Sequence, residues 1–386
     1  HESPMVAPPA KVLRRLALAG GALLALACGH TDPFSTPPYG TNQPFDPTPP
    51  VRLTLNPAAD RGASWLPDGS GILYSAQQPG RPDVDVCLAE LPPDGGSQRW
   101  LVCDGTPAGP DLTDAIESPV RAPDGPLAFV KASGAIGGSN PSSEALAVAS
   151  GVDIANATDL QRIPYTLAGE PTHTGIAQIR WQRPGRLVYL AQSVVYRRAC
   201  AQCRLDTITS GLKVALLDLS PPGTAPVVLP ATDFASGVSP GPSSDEVYYT
   251  LGGDTRVYRR SLSTGSVGVV HDFGAAGIAR DVHVAGGRLT AVVGGRVALA
   301  ADPLLGPTQY DSGGIVHLVD LGTDEDRTLD DPSRLFRRPV LAPSGDRIVA
   351  EGYPLIVTDV FDAVTQTNRK DTTVDRAADL YLFAAP

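Results

Sequence analysis

From Val51 onward, short apolar runs alternate with turn-forming clusters, a pattern that predicts short β-strands joined by tight connections instead of long helices. One unit spans residues 63–76: a short run reaching Trp65, a Pro67-Asp68-Gly69 turn, then an apolar strand around Tyr74. It recurs at 118–130, 179–190, 237–249, 282–291 and 338–350. Tyr74, Phe129, Tyr189, Tyr249, Ala291 and Ala350 are equivalent in these units. They stand about 42 to 60 residues apart, which suits a four-stranded propeller blade with insertions. A second strand signal follows each unit, at 84–91, 145–149, 212–219, 256–262, 315–321 and 379–384. A third follows the first five units, at 99–103, 160–163, 226–229, 267–271 and 327–329. The sixth unit lacks one, whereas residues 51–55 form a strand signal without a partner. Joining the two closes a ring and removes both exposed sheet edges. The expected fold is all-β: a six-bladed β-propeller whose last blade is closed by the N-terminal strand.

The Pro-Asp-Gly units and their order resemble the TolB-type β-propeller repeat over residues 51–386. The turns at 67–69 and 123–125 are intact, and the other four are degraded. The resemblance implies the propeller fold and an exported compartment. Residues 29–50 stand where TolB has a separate domain, so TolB's own role is not implied. The Asp-Gly pairs themselves read as turn chemistry, with glycine taking positive φ.

Strand parity places the first-to-second and third-to-fourth turns of every blade on one face. The long insertions at 132–144, 193–210, 302–314 and 352–378 all fall on the other face, with the blade connections at 104–117 and 166–175. Long loops raised on a rigid scaffold are where binding concentrates. Polar residues near the inner-strand entrances on that face are the expected tunnel-mouth binding residues: Arg61, Glu117, His173, Arg280, Arg337 and Arg338.

Ahead of the repeats, Lys11, Arg14 and Arg15 precede an apolar run at 16–27 and then Cys28. This is the layout of a secretory signal, and the run is shorter than the roughly 20 residues that span a bilayer. Residues 24–28 resemble a bacterial lipobox, with Ala25 where leucine is usual. The resemblance implies cleavage before Cys28, lipidation of that cysteine and, with Gly29 following it, sorting to the outer membrane. Met5, the one methionine, is the expected start. Residues 29–50 hold seven prolines in 22 positions and read as an extended stalk. The expected organisation is a signal peptide at 1–27, a lipidated Cys and stalk at 28–50, and the propeller at 51–386.

Composition adds an exclusion. The formal net charge of −10 becomes −12 once the signal is removed, which argues against nucleic acid as a partner. Gly 40 and Pro 38 divide between the stalk and the blade turns.

Four cysteines remain in an oxidising setting. Cys87 and Cys103 are symmetric about Gly95, the centre of a hairpin, and are candidates for a disulfide; Cys200 and Cys203 read as a short loop disulfide. A zinc site lacks further ligands near them. Residues 237–241 match G-x-S-x-G, but position 240 is proline and offers no oxyanion N–H. Residues 210–213 match S-x-x-K but lead into a strand. The acidic run Asp320, Asp324, Asp326, Asp330 and Asp331 lacks calcium-loop spacing. His173, His271, His283 and His317 show no metal-ligand spacing. No catalytic residue, metal or cofactor is expected.

The sequence thus predicts an outer-membrane lipoprotein, facing the periplasm or the cell surface. It would bind or scaffold an envelope protein or peptide and reach the membrane only through its lipid anchor. The competing reading is a propeller enzyme, such as a metal-dependent polysaccharide lyase, which requires two or more histidines converging with acids on the axis.

Overall fold

A computed structural model describes residues 50–385, apart from 56–58, 78–84, 104–111, 136–142, 151–160, 163–171, 199–204, 210, 296–312, 363–365 and 376. The lipobox and stalk, with Cys28, and the Cys200/Cys203 pair lie outside the described residues. The propeller is six-bladed. Blade 1 is built from Asp60–Trp65, Ile72–Gln77, Asp85–Leu91 and Arg99–Cys103, and blade 2 from Leu112–Arg121, Leu127–Ala135, Ser143–Ala149 and Gln161–Arg162. Blade 3 holds Thr172–Arg183, Arg186–Arg198, Lys213–Asp218 and Val227–Val228; blade 4 holds Ala235–Pro240, Glu246–Leu251, Arg256–Ser261 and Val267–Asp272. Blade 5 comprises Ala279–Ala285, Arg288–Val293, Ile315–Asp320 and Asp326–Leu329. Blade 6 comprises Arg334–Leu341, Arg347–Asp362 and Asp379–Ala384, with Val51–Arg52 as its outermost strand. Within each blade neighbouring strands are antiparallel. A short parallel pairing, Asp85 with Asp114 and Val86 with Ala115, also joins blades 1 and 2. Among the described residues the one helical element is the 3-10 turn Gly274–Ala276, and no helix there is long and apolar enough to cross a membrane.

Period-two alternation sends successive side chains of the central strands to opposite neighbours. Leu73 and Leu88 of blade 1 pack with Leu127 and Phe129 of blade 2. Ile72, Tyr74 and Leu91 turn the other way, onto Val340, Val349 and Leu382 of blade 6. The same division produces one apolar cluster at every junction of the ring.

The closing junction is built like an internal one. Trp65 of blade 1 donates its Nε1–H to Val340 O of blade 6 at 3.0 Å, and Trp181 of blade 3 donates to Val120 O of blade 2 at 2.9 Å. The N-terminal strand pairs Val51 with Leu382 and Arg52 with Tyr381. Leu53 N–H then donates to Leu380 O at 2.7 Å, and the Thr54 hydroxyl accepts from Leu380 N–H at 2.9 Å.

Two of the insertions are not loops. In blade 6 the second strand runs on as far as Asp362 and pairs along Leu355–Asp362 with Thr367–Val374. In blade 3, Val194–Arg198 pairs with Leu205–Thr209. The blade 6 extension is a two-stranded ribbon, and in blade 3 the inner strand also joins the ribbon at its base, with Thr172 and His173 opposite Val195 and Val194. Both continue their blade past its ordinary edge, because the inserted sequence keeps β-branched residues in strand alternation. Parity puts both on the same face.

Asp379 begins the strand on which the ring closes. Its carboxylate meets Arg52 at 2.6 Å with 6 % of its side chain exposed, and its Oδ1 has no hydrogen-bond partner among the described residues. Burial, opposed by Arg52, pushes this carboxyl from 3.8 up to about 6. An acid with a raised folded pKa binds its proton more tightly in the native state. Its contribution is therefore full at low pH and is withdrawn as pH rises from about 4 to about 6. A shift of this size corresponds to about 3 kcal/mol. Asp379→Asn, which needs no proton, is expected to gain on the wild type by up to about 3 kcal/mol between pH 4 and 7 in urea unfolding. Parallel pH profiles for the two proteins would refute the assignment.

Candidate axial binding site

An innermost strand is a sheet edge, and its free backbone donors face the axis. Here the preceding blade supplies their partners. Gln178 Oε1 accepts from Val238 N–H at 3.0 Å, Ser239 Oγ from Val284 N–H at 2.9 Å, and His283 Nδ1 from Leu341 N–H at 3.1 Å. Accepting at Nδ1 requires a neutral imidazole. Burial, with the charge of Arg180 second, holds the His283 ring well below its usual value.

Each inner strand also carries a one-residue bulge. The bulge residues are Gly62, Ser118, Gln178, Ser236, Asp281 and Arg338. Five have positive φ: 64° at Gly62, 52° at Ser118 and Gln178, 53° at Asp281 and 46° at Arg338. A bulge re-aims its side chain and strengthens the local twist. A left-handed backbone at four non-glycine residues is strain of the kind that clusters at binding sites. At Gly62 a Cβ would lie 3.0 Å from the Ser118 backbone, so the first two bulges touch and only glycine fits.

The re-aimed side chains meet across the axis. Gln178 Nε2 of blade 3 donates to Asp281 Oδ1 of blade 5 at 2.5 Å, and Asp281 Oδ2 accepts from Arg338 N–H of blade 6 at 3.1 Å. Glu351, on the second strand of blade 6, is fully buried. Its Oε1 accepts from Gly62 N–H at 2.7 Å and from Arg338 Nη1 at 3.2 Å, and its Oε2 accepts from the Tyr353 hydroxyl at 2.7 Å. The Arg337 guanidinium lies 4.8 Å from the Tyr353 ring centre. Arg180 of blade 3 senses Arg338, Asp281 and Glu351, although blades 3 and 6 face each other across the ring. Arg180, Asp281 and His283 keep partial surface. Burial pushes Arg180 down to about 10, with Arg338 reinforcing it, and raises the Asp281 carboxyl.

Of the residues expected at the mouth, Arg61, Glu117, Arg280 and Arg337 share one position, immediately before the bulge in blades 1, 2, 5 and 6. Arg338 is the bulge residue itself. Arg61 is exposed and acts electrostatically on Tyr353. Arg280 turns aside, donating to Gly294 O at 2.8 Å. For Glu117 and His173 only the backbone is described. His173 pairs with Val194, beyond the bulge position and toward the blade 3 ribbon. Gln178, Arg180, Asp281, Glu351 and Tyr353 were not anticipated. Aligning the repeats on Trp65 and Trp181 would have exposed Arg180, which stands where the first unit has Ser64.

The remaining motifs are structural. Ser239 of the G-x-S-x-G match is fully buried, and its hydroxyl is committed to Val284 N–H and to Pro240 O, 2.9 Å each. Lys213 pairs with Asp233 at 2.7 Å. Asp320 receives the Gly322 and Thr323 N–H groups, at 2.9 and 3.0 Å, and so folds its own turn. His271 and His317 pair with Asp324 and Asp326, at 2.6 and 2.9 Å, on the outer half of blades 4 and 5. Among the described residues His283 is the one histidine brought to the axis, and no three of His, Cys, Asp and Glu converge.

No protein-family model and no curated protein sequence matches the chain. Solved structures do. TolB from Acinetobacter baumannii is 15 % identical, over 82 % of this chain and 67 % of that one, with a TM-score of 0.46. A gluconolactonase from Xanthomonas campestris is 12 % identical, over 87 % and 89 %, with a TM-score of 0.48. An oligogalacturonate lyase from Vibrio parahaemolyticus is 11 % identical, over 89 % and 96 %, with a TM-score of 0.46. The chain is similar to TolB proteins and to propeller enzymes alike.

Proposed function

We propose that the protein is a non-catalytic binding module of the cell envelope, held at the outer membrane through lipid on Cys28 and engaging a protein or peptide on its ribbon-bearing face. The observation that carries this reading is the pairing of an arginine-lined axial mouth with an apolar ribbon on the same face. Ile356, Val357 and Phe361 of the blade 6 ribbon are 44 %, 55 % and 58 % exposed. Exposed apolar side chains beside a polar mouth suit a macromolecular surface better than a small polar substrate. The described axial polar groups, by contrast, are largely occupied with one another and with strand edges, and no nucleophile with a free base is formed among them.

The oxidising compartment fits the cysteines. The register sets Cys87 directly opposite Cys103, and we assign this pair to a disulfide, to be read by peptide mapping without reductant. The function is tested by capture from envelope extracts with the lipidated chain. A partner enriched by the wild type, and lost from the double variant Ile356→Ser/Phe361→Ser, is the expected result. Cys28→Ala is expected to release the protein from the membrane fraction. Capture of no partner, together with stoichiometric bound metal, would overturn the reading in favour of a propeller enzyme.

A further inference from the structure

Arg180 occupies the position two residues after the bulge, held in the other blades by Ser64, Val120, Val238, His283 and Val340. Val120, Val238 and Val340 are buried in inter-blade clusters, whereas the Arg180 guanidinium lies within electrostatic reach of Arg338, Asp281 and Glu351. Its Nη1 donates to Ile179 O at 2.8 Å, while its Nε is buried and without a hydrogen-bond partner among the described residues. The two described carboxylates nearby are both engaged elsewhere. Asp281 receives Gln178 and the Arg338 N–H, and Glu351 receives Gly62, Arg338 and Tyr353. The Arg338 guanidinium, a like charge nearby, adds to the unfavourable setting of Arg180. A buried guanidinium with an unused N–H is costly, and its planar fork is suited to a carboxylate held by two parallel hydrogen bonds.

From this geometry we infer that the axial mouth is a carboxylate-binding subsite centred on Arg180, taking one carboxylate of the peptide or protein partner. The inference rests on the binding-module reading and names what that module grips. The local positive charge sits in a chain of net charge −10. A single anionic group is therefore drawn to the mouth while an extended polyanion is repelled by the rest of the surface. The carboxylate can belong to a chain terminus or to an acidic side chain. Either approaches from the ribbon-bearing face, where Ile356 and Phe361 stand exposed for the partner's apolar residues.

Three capped peptides distinguish these sources in titration calorimetry: acetyl-triglycine with a free C-terminus, acetyl-Gly-Glu-Gly-amide, and the neutral acetyl-Gly-Gln-Gly-amide. At least one carboxylate peptide is expected to bind the wild type about tenfold or more tightly than the neutral one, and to weaken as salt is raised. Whichever of the two binds identifies the source. Arg180→Met is expected to abolish that preference while melting as the wild type does or higher, since it removes a buried like-charge contact with Arg338. Should that variant fail to fold, thermal stabilisation of the wild type by the carboxylate peptides and not by the amide decides the question. Equal binding of all three peptides, an unchanged preference in a folded Arg180→Met, or tighter binding of inorganic phosphate would each overturn the subsite. Loss of carboxylate preference with no envelope partner captured would sustain the subsite and refute the broader reading. A partner captured equally by the wild type and Arg180→Met would do the reverse.

Discussion

A chain beginning at Asn56, without the closing strand, is expected to lose cooperative unfolding and to aggregate, while a chain beginning at Pro50 melts as the full protein does. Residues Val51–Arg52 are the outermost strand of blade 6, and their removal leaves Asp379–Ala384 as an open edge. Leu53 is 4 % exposed and packs with Trp65, Leu91 and Leu382. Losing its burial costs about 1.5–3 kcal/mol, and the same apolar neighbours become wetted. The Leu380 N–H loses the Thr54 hydroxyl, and Leu380 O loses the Leu53 N–H. Asp379 loses Arg52, its ion-pair partner, in a setting that already opposes its charge. Against a total stability of roughly 5–15 kcal/mol, these losses at one junction consume most of the margin. Circular dichroism melts and light scattering read the result. The milder Leu53→Ala keeps the strand and is expected to cost about 2–5 kcal/mol, which isolates the apolar contribution. A chain from Asn56 that melts cooperatively at the wild-type temperature would show that the ring does not depend on its closing strand.

That closure was legible because it is a matter of counting: five complete units, one short of a strand, and one strand over. The second-strand signals were legible for a different reason. Ile315–Asp320 and Arg256–Ser261 are continuous apolar or alternating runs bounded by turn residues. The repeat anchors carried more than was read from them. Tyr74, Phe129, Tyr189, Ala291 and Ala350 each sit opposite the extra residue of the inner-strand bulge, whereas Tyr249 of blade 4 pairs with Val238. Counting alternation along the inner strands could not reveal the site, because a bulge adds one residue and reverses which side chains face inward. Hence Arg61, Glu117, Arg280 and Arg337 share a position that sequence could identify, while alternation alone hid Asp281 at the bulge and Arg180 beyond it. Glu351 was hidden differently. It follows Val349 and Ala350 in a strand, and nothing local announces that its partners come from blade 1 and from its own strand's neighbour.

Glu351→Ala is expected to be the most damaging single substitution at the axis, lowering stability by about 3–5 kcal/mol in urea unfolding. The carboxylate is fully buried and holds three donors from different places: Gly62 N–H of blade 1, Arg338 Nη1 of the adjacent strand, and the Tyr353 hydroxyl two residues on. Removing it takes the Glu351 ion pair from the Arg338 guanidinium, which stands near Arg180, and strands a backbone donor at the closing junction. Tyr353, raised by burial and by this carboxylate, stays protonated throughout and simply loses its acceptor. Glu351→Gln keeps the shape and an acceptor oxygen but not the charge, so it is expected to fall between the wild type and alanine. Combining Glu351→Ala with Arg338→Met should restore part of the loss, because the orphaned cation is then gone. Full additivity of the two substitutions, or a cost below about 1 kcal/mol for Glu351→Ala, would contradict the pairing. The same logic links fold to site. Glu351 fixes Arg338 and the first bulge through its hydrogen bonds, and it acts on Arg180 through its charge alone. The residue at the closing junction thereby leaves the Arg180 Nε without a hydrogen bond among the described residues, as the proposed carboxylate subsite requires.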